Sequence, residues 1–397
     1  MVLPRMRPLC RRRLLAAAVA AGVPALGLGR GGLAQDAGDD DLHVSTAGWR
    51  TDFDTHAVPL SEFRSGGPPR DGIPPIDEPR SVSQAEADEW LEPEEPVIAV
   101  ALEQGDGTVL ARAYPLQIML WHEIVNDTLG ETPVAVTFCP LCYTAVAYDR
   151  RLEPGDLVLD FGTTGNLRHS DLVMWDRQTE SWWQQFSGDA LVGELTGAHL
   201  TFLPAQVVSW EVFKAAYPDA DVLSRETGFD RPYGTNPYPG YDDVENRPFL
   251  FDGETDGRLP AMERVVGVIH DGVGVAYPFP ALEEARAVED RGGEAAIVVV
   301  WAPGTASATD ASNIVEGRDI GQAGVFSRDL AGRTLTFAPG PGNAFTDAET
   351  GSTWDVSGAA TGGALAGQRL TPVPHTVVFW FAWAAFQPEG RLWQPPG

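Results

Sequence analysis

Apolar residues in this chain come in short blocks broken by glycine, proline and acidic residues, the spacing of strands joined by turns rather than of long helices. Residues 97–101, 109–114, 134–138, 145–148, 157–161 and 172–175 each read as a strand. Two stretches depart from that rhythm. Ile118, Leu120, Trp121 and Ile124 fall at helical spacing within 117–126, and a second helix is expected over 209–217, capped by Ser209 and stopped by Pro218. Strands outnumber helices, so the predicted class is α+β, mostly antiparallel sheet with short helices.

The chain also repeats itself. Gly188, Gly193, Gly197, Leu200, Pro204, Trp210 and Pro218 recur at one constant interval as Gly358, Gly363, Gly367, Leu370, Pro374, Trp380 and Pro388. Tyr114-Pro115 recurs as Tyr277-Pro278, and Pro140 as Pro303, at a second, slightly shorter interval that is the same for both. Such fixed spacings predict two tandem homologous units, 93–220 and 262–390, joined by a bridging segment, 221–261, rich in Asp, Gly, Pro and Tyr. Residues 35–92 form an extended Gly/Pro-rich leader. Trp49, Phe53 and Leu60 give it apolar anchors, so it is expected to wrap the folded body.

Residues 1–34 differ from the rest. Arg11-Arg12-Arg13 leads into an apolar run, 14–28, that closes at Gly32-Leu33-Ala34. This is the pattern of a signal peptide, with the paired arginines of twin-arginine export, and it predicts an extracytoplasmic location. No later run reaches the ~18 apolar residues of a spanning helix, so no transmembrane span is expected after signal removal. The 397 residues include 28 Lys+Arg against 56 Asp+Glu, a formal charge of −28, and Lys214 is the only lysine. Loss of residues 1–34 removes six arginines and no acid, which takes the charge to −34. A surface this acidic repels phosphate backbones and excludes nucleic acid as a partner. It also suits a halophilic setting, where salt screens the self-repulsion. No other partner is legible.

Three cysteines exclude a disulfide scaffold, and Cys10 leaves with the signal. The remaining pair, Cys139-Pro140-Leu141-Cys142, follows a predicted strand and precedes another, so it reads as a turn. Three readings of the pair stand open. Cys139 and Cys142 form a redox couple with His122 tuning the thiolate, which makes the three the candidate catalytic residues. Alternatively Cys139, Cys142 and His122 bind copper or zinc, with any missing ligand a histidine or carboxylate. Or the cysteines form a structural disulfide in a non-catalytic surface or binding module. No cofactor other than copper or zinc is implied. His169, Asp171, Asp176 and Arg177 are further candidates, with Asp171, Asp176 and Arg177 expected to form an ordinary salt-bridged strand edge. The interval that relates Pro140 to Pro303 carries Cys139, Cys142 and His122 to Ala302, Thr305 and Ala285, so the second unit lacks the reactive set. There is no P-loop, no G-x-G-x-x-G after a strand, no G-x-S-x-G and no H-E-x-x-H, and Tyr143 rules out haem attachment through C-x-x-C-H.

Ser65–Pro74 (SGGPPRDGIP), Trp121–Asp127 (WHEIVND), Thr137–Cys142 (TFCPLC), Ser170–Arg177 (SDLVMWDR) and Trp380–Phe386 (WFAWAAF) together resemble the domain-of-unknown-function 3179 family over roughly residues 49–388. The resemblance implies an exported protein and assigns no biochemistry. Tyr143 departs from the small residue expected after the second cysteine.

Overall fold

The structure is a computed structural model that describes residues 42–395 apart from 154–156, 271 and 293–294. The predicted signal peptide and residues 35–41 lie outside the described residues. In chain order the elements that matter here are β1 (Phe63–Ser65), β2 (Pro96–Glu103), β3 (Val109–Pro115), α1 (Leu116–His122), β4 (Ile124–Leu129), β5 (Thr132–Cys139), β6 (Thr144–Asp149), β7 (Phe161–Arg168), β8 (Asp171–Asp176), β9 (Trp182–Gln184), β10 (Ala205–Ser209), α2 (Trp210–Ala216) and β11 (Asp221–Leu223). There follow β12 (Arg264–His270), β13 (Val273–Pro278), α3 (Phe279–Ala285), β14 (Ala287–Gly292), β15 (Ala295–Ala302), β16 (Gln322–Ser327), β17 (Thr376–Phe379), α4 (Trp380–Phe386) and β18 (Arg391–Leu392).

Strands whose side chains are apolar on both faces are covered on both faces, and β5, β6 and β15 are of this kind. The sheets they build are mostly antiparallel. In the first half β2 pairs antiparallel with β3 and β10, while β11 lies parallel to β3. β4, β5 and β6 form an antiparallel meander beside them. The second half carries the same order and the same pairings. β12 pairs antiparallel with β13 and β17, β18 lies parallel to β13, and β14, β15 and β16 form the meander.

The agreement extends to single residues. The helix expected over 117–126 stops at His122, because Glu123 takes a left-handed backbone with φ 58°. Ile124 therefore belongs to a strand, and its apolar character serves the sheet. Arg286, the counterpart of Glu123 in the second half, stops α3 in the same way with φ 59°. Asp176 accepts from the Thr179 amide and hydroxyl and from Trp183 Nε1. Asp347 accepts from the Thr350 amide and hydroxyl and from Trp354 Nε1. Each clamp holds one positive φ, at Glu180 and at Gly351.

One loop breaks the correspondence. β5 and β6 are joined by residues 140–143 alone, whereas β15 and β16 are joined by residues 303–321. Cys139 pairs with Thr144, and Ala302 pairs with Gln322, so the interval between matching positions lengthens across the turn. Cys142 thus has no position-for-position partner, and its assignment to Thr305 does not hold.

The main core runs through both halves, with Phe138 and Tyr143 meeting Phe379, Trp380 and Trp383 in one cluster. The leader lies along the first half. Trp49, Phe53 and Phe63 pack edge-on around Trp182 with ring centroids 5.1–5.4 Å away. Farther on, Ile76 exchanges backbone hydrogen bonds with Ile124 and Asn126. No helix among the described residues is long and apolar enough to cross a membrane.

Asp347→Ala removes the acceptor of a buried indole N–H and of a threonine hydroxyl at once. It is expected to lower stability by about 2–3 kcal/mol in a urea titration. A loss under about 0.5 kcal/mol would show that the clamp is ornamental.

Candidate functional site

The turn 140–143 is fixed from three sides. Phe379 N–H, at the end of β17, donates to Cys142 O at 2.9 Å. Tyr241 Oη donates to Leu141 O at 2.8 Å. The Tyr143 ring is packed edge-on against Phe138 and lies under the Arg264 guanidinium, 4.6 Å from it. Tyr143 has φ 60°, the left-handed region that glycine occupies at no steric cost, which is the physical reason a small residue suits this place. Here aromatic packing offsets the strain of a larger side chain.

The opposite wall comes from the β7–β8 hairpin. Its two-residue turn, His169-Ser170, has φ of 52° and 64°, the primed geometry that matches strand twist. That tight turn brings Asp171, the first residue of β8, against the cysteines. Cys142 Sγ donates to Asp171 Oδ2 at 2.8 Å and lies 3.0 Å from Thr144 Oγ1. Asp171 Oδ1 accepts from Gln184 Nε2 at 2.6 Å and from Phe186 N–H at 2.9 Å. Gln185 binds Thr137 and Thr144 across the floor. Cys139 Sγ donates to Ser170 O at 3.8 Å, and the Cys142 amide is directed at Cys139 Sγ. Both cysteines are free and buried, about 3.2 Å apart. One ligand atom from each of Cys139, Cys142 and Asp171 lies within 4.8 Å of the others.

The electrostatics are those of buried acids with no paired cation among the described residues. Burial raises both thiols, Cys142 well above its ordinary value, with the nearby acids Asp171 and Glu123 adding to the effect on Cys139. Burial raises Asp171 to about 6 against four hydrogen bonds that oppose it. Glu123 is pushed up to about 8 by burial, then by the Asp171 charge. Its carboxyl receives no hydrogen bond among the described residues. The left-handed stop of α1 is what turns Glu123 toward this group.

The other sequence candidates lie elsewhere. His122, beside Glu123, has both ring nitrogens engaged, Nδ1 with Pro74 O at 2.7 Å and Nε2 with Tyr233 Oη at 2.6 Å, and is not a member of the thiol–carboxylate group. His169 faces Glu62 and Phe386. The expected salt-bridged edge does not form. Asp171 and Asp176 are fully buried and pair with no cation among the described residues, and Arg177 reaches Asp71 and Asp77 of the leader instead. Asp171 therefore belongs to the site, and Glu123 is the residue that sequence reasoning passed over. Its signal was its place in His122-Glu123-Ile124, directly ahead of the strand that leads to the cysteines.

The bridging segment covers the site. Besides Tyr241 on Leu141 and Tyr233 on His122, Phe249 O accepts from Ser170 Oγ at 2.5 Å. The segment is anchored in turn to the long 303–321 loop, through Asn236 N–H to Ser312 O and Tyr241 N–H to Thr309 O.

A family model described as "Protein of unknown function (DUF3179)" matches residues 70–390. No curated protein and no solved structure matches the chain.

Two outcomes follow. In the metal-free protein the native thiols are expected to react slowly with iodoacetamide. Tyr241→Phe, which frees the cover, should speed alkylation by about fivefold to tenfold, the equivalent of one lost hydrogen bond. Equal rates in both proteins would mean the cover does not limit access. Glu123, raised to about 8, contributes stability that is complete below about pH 4.5 and is lost as pH rises toward 8. Metal-free Glu123→Gln should therefore be more stable than the parent at pH 8 by on the order of 3 kcal/mol, with the gap closing near pH 4.5. Parallel stability curves for the two proteins from pH 4.5 to 8 would refute this.

Proposed function

The chain belongs to the DUF3179 family, and we propose that it is an extracytoplasmic metal–thiolate protein in which Cys139, Cys142 and Asp171 hold a zinc ion beside Glu123. The observation that carries this reading is the grouping of two thiols and two carboxyls in one buried volume, with neither Asp171 nor Glu123 paired to a cation among the described residues. Acids left in that state are costly. A divalent cation removes the cost, since it lets the thiols ionise and gives Asp171 a counter-charge. Two thiolates and a carboxylate suit zinc. Copper(I) is less favoured, because a carboxylate is a hard ligand and His122 is committed to Pro74 and Tyr233. The Cys142 amide aimed at Cys139 Sγ supports a bound thiolate.

The thiol redox reading has one observation in its favour, the closeness of the two sulfurs. Against it stands their environment, since a nucleophilic thiol needs a lowered pKa and both are raised. A static disulfide in a binding module is the remaining alternative.

We also read the chain as a tandem duplication, units 93–220 and 262–390 joined by 221–261, in which only the first unit carries the donor set. The repeated pairings and the paired Asp–Thr–Trp clamps support it. Export rests on the N-terminal pattern, and the mature chain would then begin at Gln35.

The test is elemental analysis of protein purified from the exported fraction without chelator. About one zinc per chain is expected, falling at least tenfold in occupancy in Cys142→Ser and in Asp171→Asn. Cobalt exchanged into the parent should show thiolate-to-cobalt charge-transfer bands that both variants lack. Metal-free protein that carries a Cys139–Cys142 disulfide, reducible and re-formed without loss of fold, would replace this reading with the redox one.

A further inference from the structure

One sheet edge in the first half is left open. β3 pairs with β2 along its whole length, but on its other side β11 comes alongside only at Arg112 and Ala113. Gln104 N–H bonds to Thr108 O where the β2–β3 hairpin closes. By the alternation of an antiparallel ladder, Val109 and Ala111 therefore turn their N–H groups away from β2. Neither N–H meets an acceptor among the described residues. Val109 is 46% exposed and Leu110 39%. Such an edge is a template for another strand, and proteins blunt it with lysine, proline or a bulge. Val109-Leu110-Ala111 carries none of these.

The second half shows the same place closed. β18 lies along β13 in the matching register. Gln387, the counterpart of Tyr217, packs on Gly274, the counterpart of Ala111. Gly274 is buried, and a Cβ added there would come within 2.7 Å of the Gln387 side-chain oxygen. In the first half the Tyr217 ring is held elsewhere. Its Oη accepts from Arg369 Nη2 at 2.8 Å, and that guanidinium lies 4.4 Å from the ring centre. A hollow of about 440 Å³ remains, with Val109, Leu110 and Ala111 on one wall and Pro218, Asp219 and Ala220 on another. It shares Val109, Tyr217 and Arg369 with a second hollow of about 400 Å³ that reaches Glu103.

The free donors and the charges narrow the occupant. Two residues apart on a strand, the Val109 and Ala111 amides are spaced by about 7 Å, the repeat of carbonyls along another extended chain. Glu103, Asp149, Asp219 and Asp221 line the two hollows with Arg112 and Arg369. Arg112 is committed to Asp127 and Asp221, and Asp149 to Arg151. Arg369 donates to Ala216 O, Tyr217 Oη and Ser357 O. Glu103 and Asp219 are exposed and have no cation partner among the described residues. A basic side chain finds two free carboxylates here, on a chain of formal charge −28 that repels acidic segments.

We propose that the edge Val109–Ala111 takes up an extended segment of a partner protein, apolar and basic in alternation, as an added strand. Its carbonyls accept from Val109 and Ala111, its apolar side chains cover Val109 and Leu110, and its basic ones reach Glu103 and Asp219. The proposal is independent of any metal at the thiols.

The experiment is calorimetric titration of the full chain with the acetylated, amidated hexapeptide Lys-Val-Lys-Val-Lys-Val. Two comparators are Glu-Val-Glu-Val-Glu-Val and the basic peptide with its valine nitrogens methylated, which keeps the charge and blocks strand pairing. Saturable binding of the basic peptide at one per chain is expected, weaker by at least tenfold for either comparator. Glu103→Gln/Asp219→Asn changes only exposed side chains, and should weaken binding about threefold to tenfold and flatten its salt dependence. No binding, equal binding of either comparator, or an affinity unchanged in the double variant would overturn the proposal. So would a concentration-dependent dimer that Leu110→Lys dissociates, which would give the edge to a second copy of the chain.

Discussion

A carboxylate or thiolate cannot stay charged in a dry interior unless a cation or a set of donors stands beside it. Around the Cys-Pro-Leu-Cys turn the protein has placed four acidic groups and concentrated its donors on one of them. Gln184, the Phe186 amide, Thr144 and Cys142 all serve Asp171, while Cys139 is met by the Cys142 amide and Glu123 by no donor among the described residues. The surrounding architecture keeps that imbalance in place: a strand end and its tight turn deliver the cysteines, a primed hairpin delivers Asp171, and a left-handed helix stop delivers Glu123. Each is a backbone feature that relaxes poorly, so the acids cannot simply swing out to water.

The two halves are not independent bodies that happen to be joined. The first half's turn is held by Phe379 of the second, and its outer face is covered by the bridging segment. That segment is in turn fastened to the 303–321 loop. The extra length of that loop, compared with the tight turn in the first half, therefore supports a cover for the other half's site. A long surface loop costs little in closure entropy, so this division of labour takes little from stability. It also couples access at the thiols to the packing of residues far away in the chain.

Much of this was legible in the sequence, and what was not has identifiable causes. Alternating and doubly apolar runs located β2, β5 and β6, and Ser209 and Pro218 marked the second helix, because these signals are local. The pattern predicts too long a first helix because Ile124 fits both a helical and a strand period, and nothing in the sequence marks Glu123 as left-handed when the usual glycine is absent. Residue type and a place just ahead of the cysteine strand point to His122 as the partner of the thiols, yet side-chain direction at a helix terminus depends on that one φ angle. The fixed offset carried Cys142 onto Thr305 because sequence arithmetic assumes equal loops. From sequence Asp171 reads as an edge residue, since its burial depends on a hairpin turn whose conformation, with two non-glycine residues at positive φ, has no strong sequence signature.

The difference between the halves reduces to turn length. A thiol pair with two residues between forms a compact knuckle only where a strand turns back at once, so that both sulfurs and the intervening amide converge on one point. β5 and β6 do this, with Cys139 and Thr144 directly paired across the turn. Between β15 and β16 the chain instead departs for the length of 303–321, and Asp319 fills the role that an inward thiolate would have had, accepting from the Gly304 and Thr305 amides. The backbone donors of the second turn are thus already neutralised by an internal carboxylate. What remains beside them is a concave space walled by Trp301, Arg264 and Phe279. One half concentrates acids without a paired cation in a closed volume, the other ties its loop ends to an internal carboxylate, and the same order of strands and helix accommodates both.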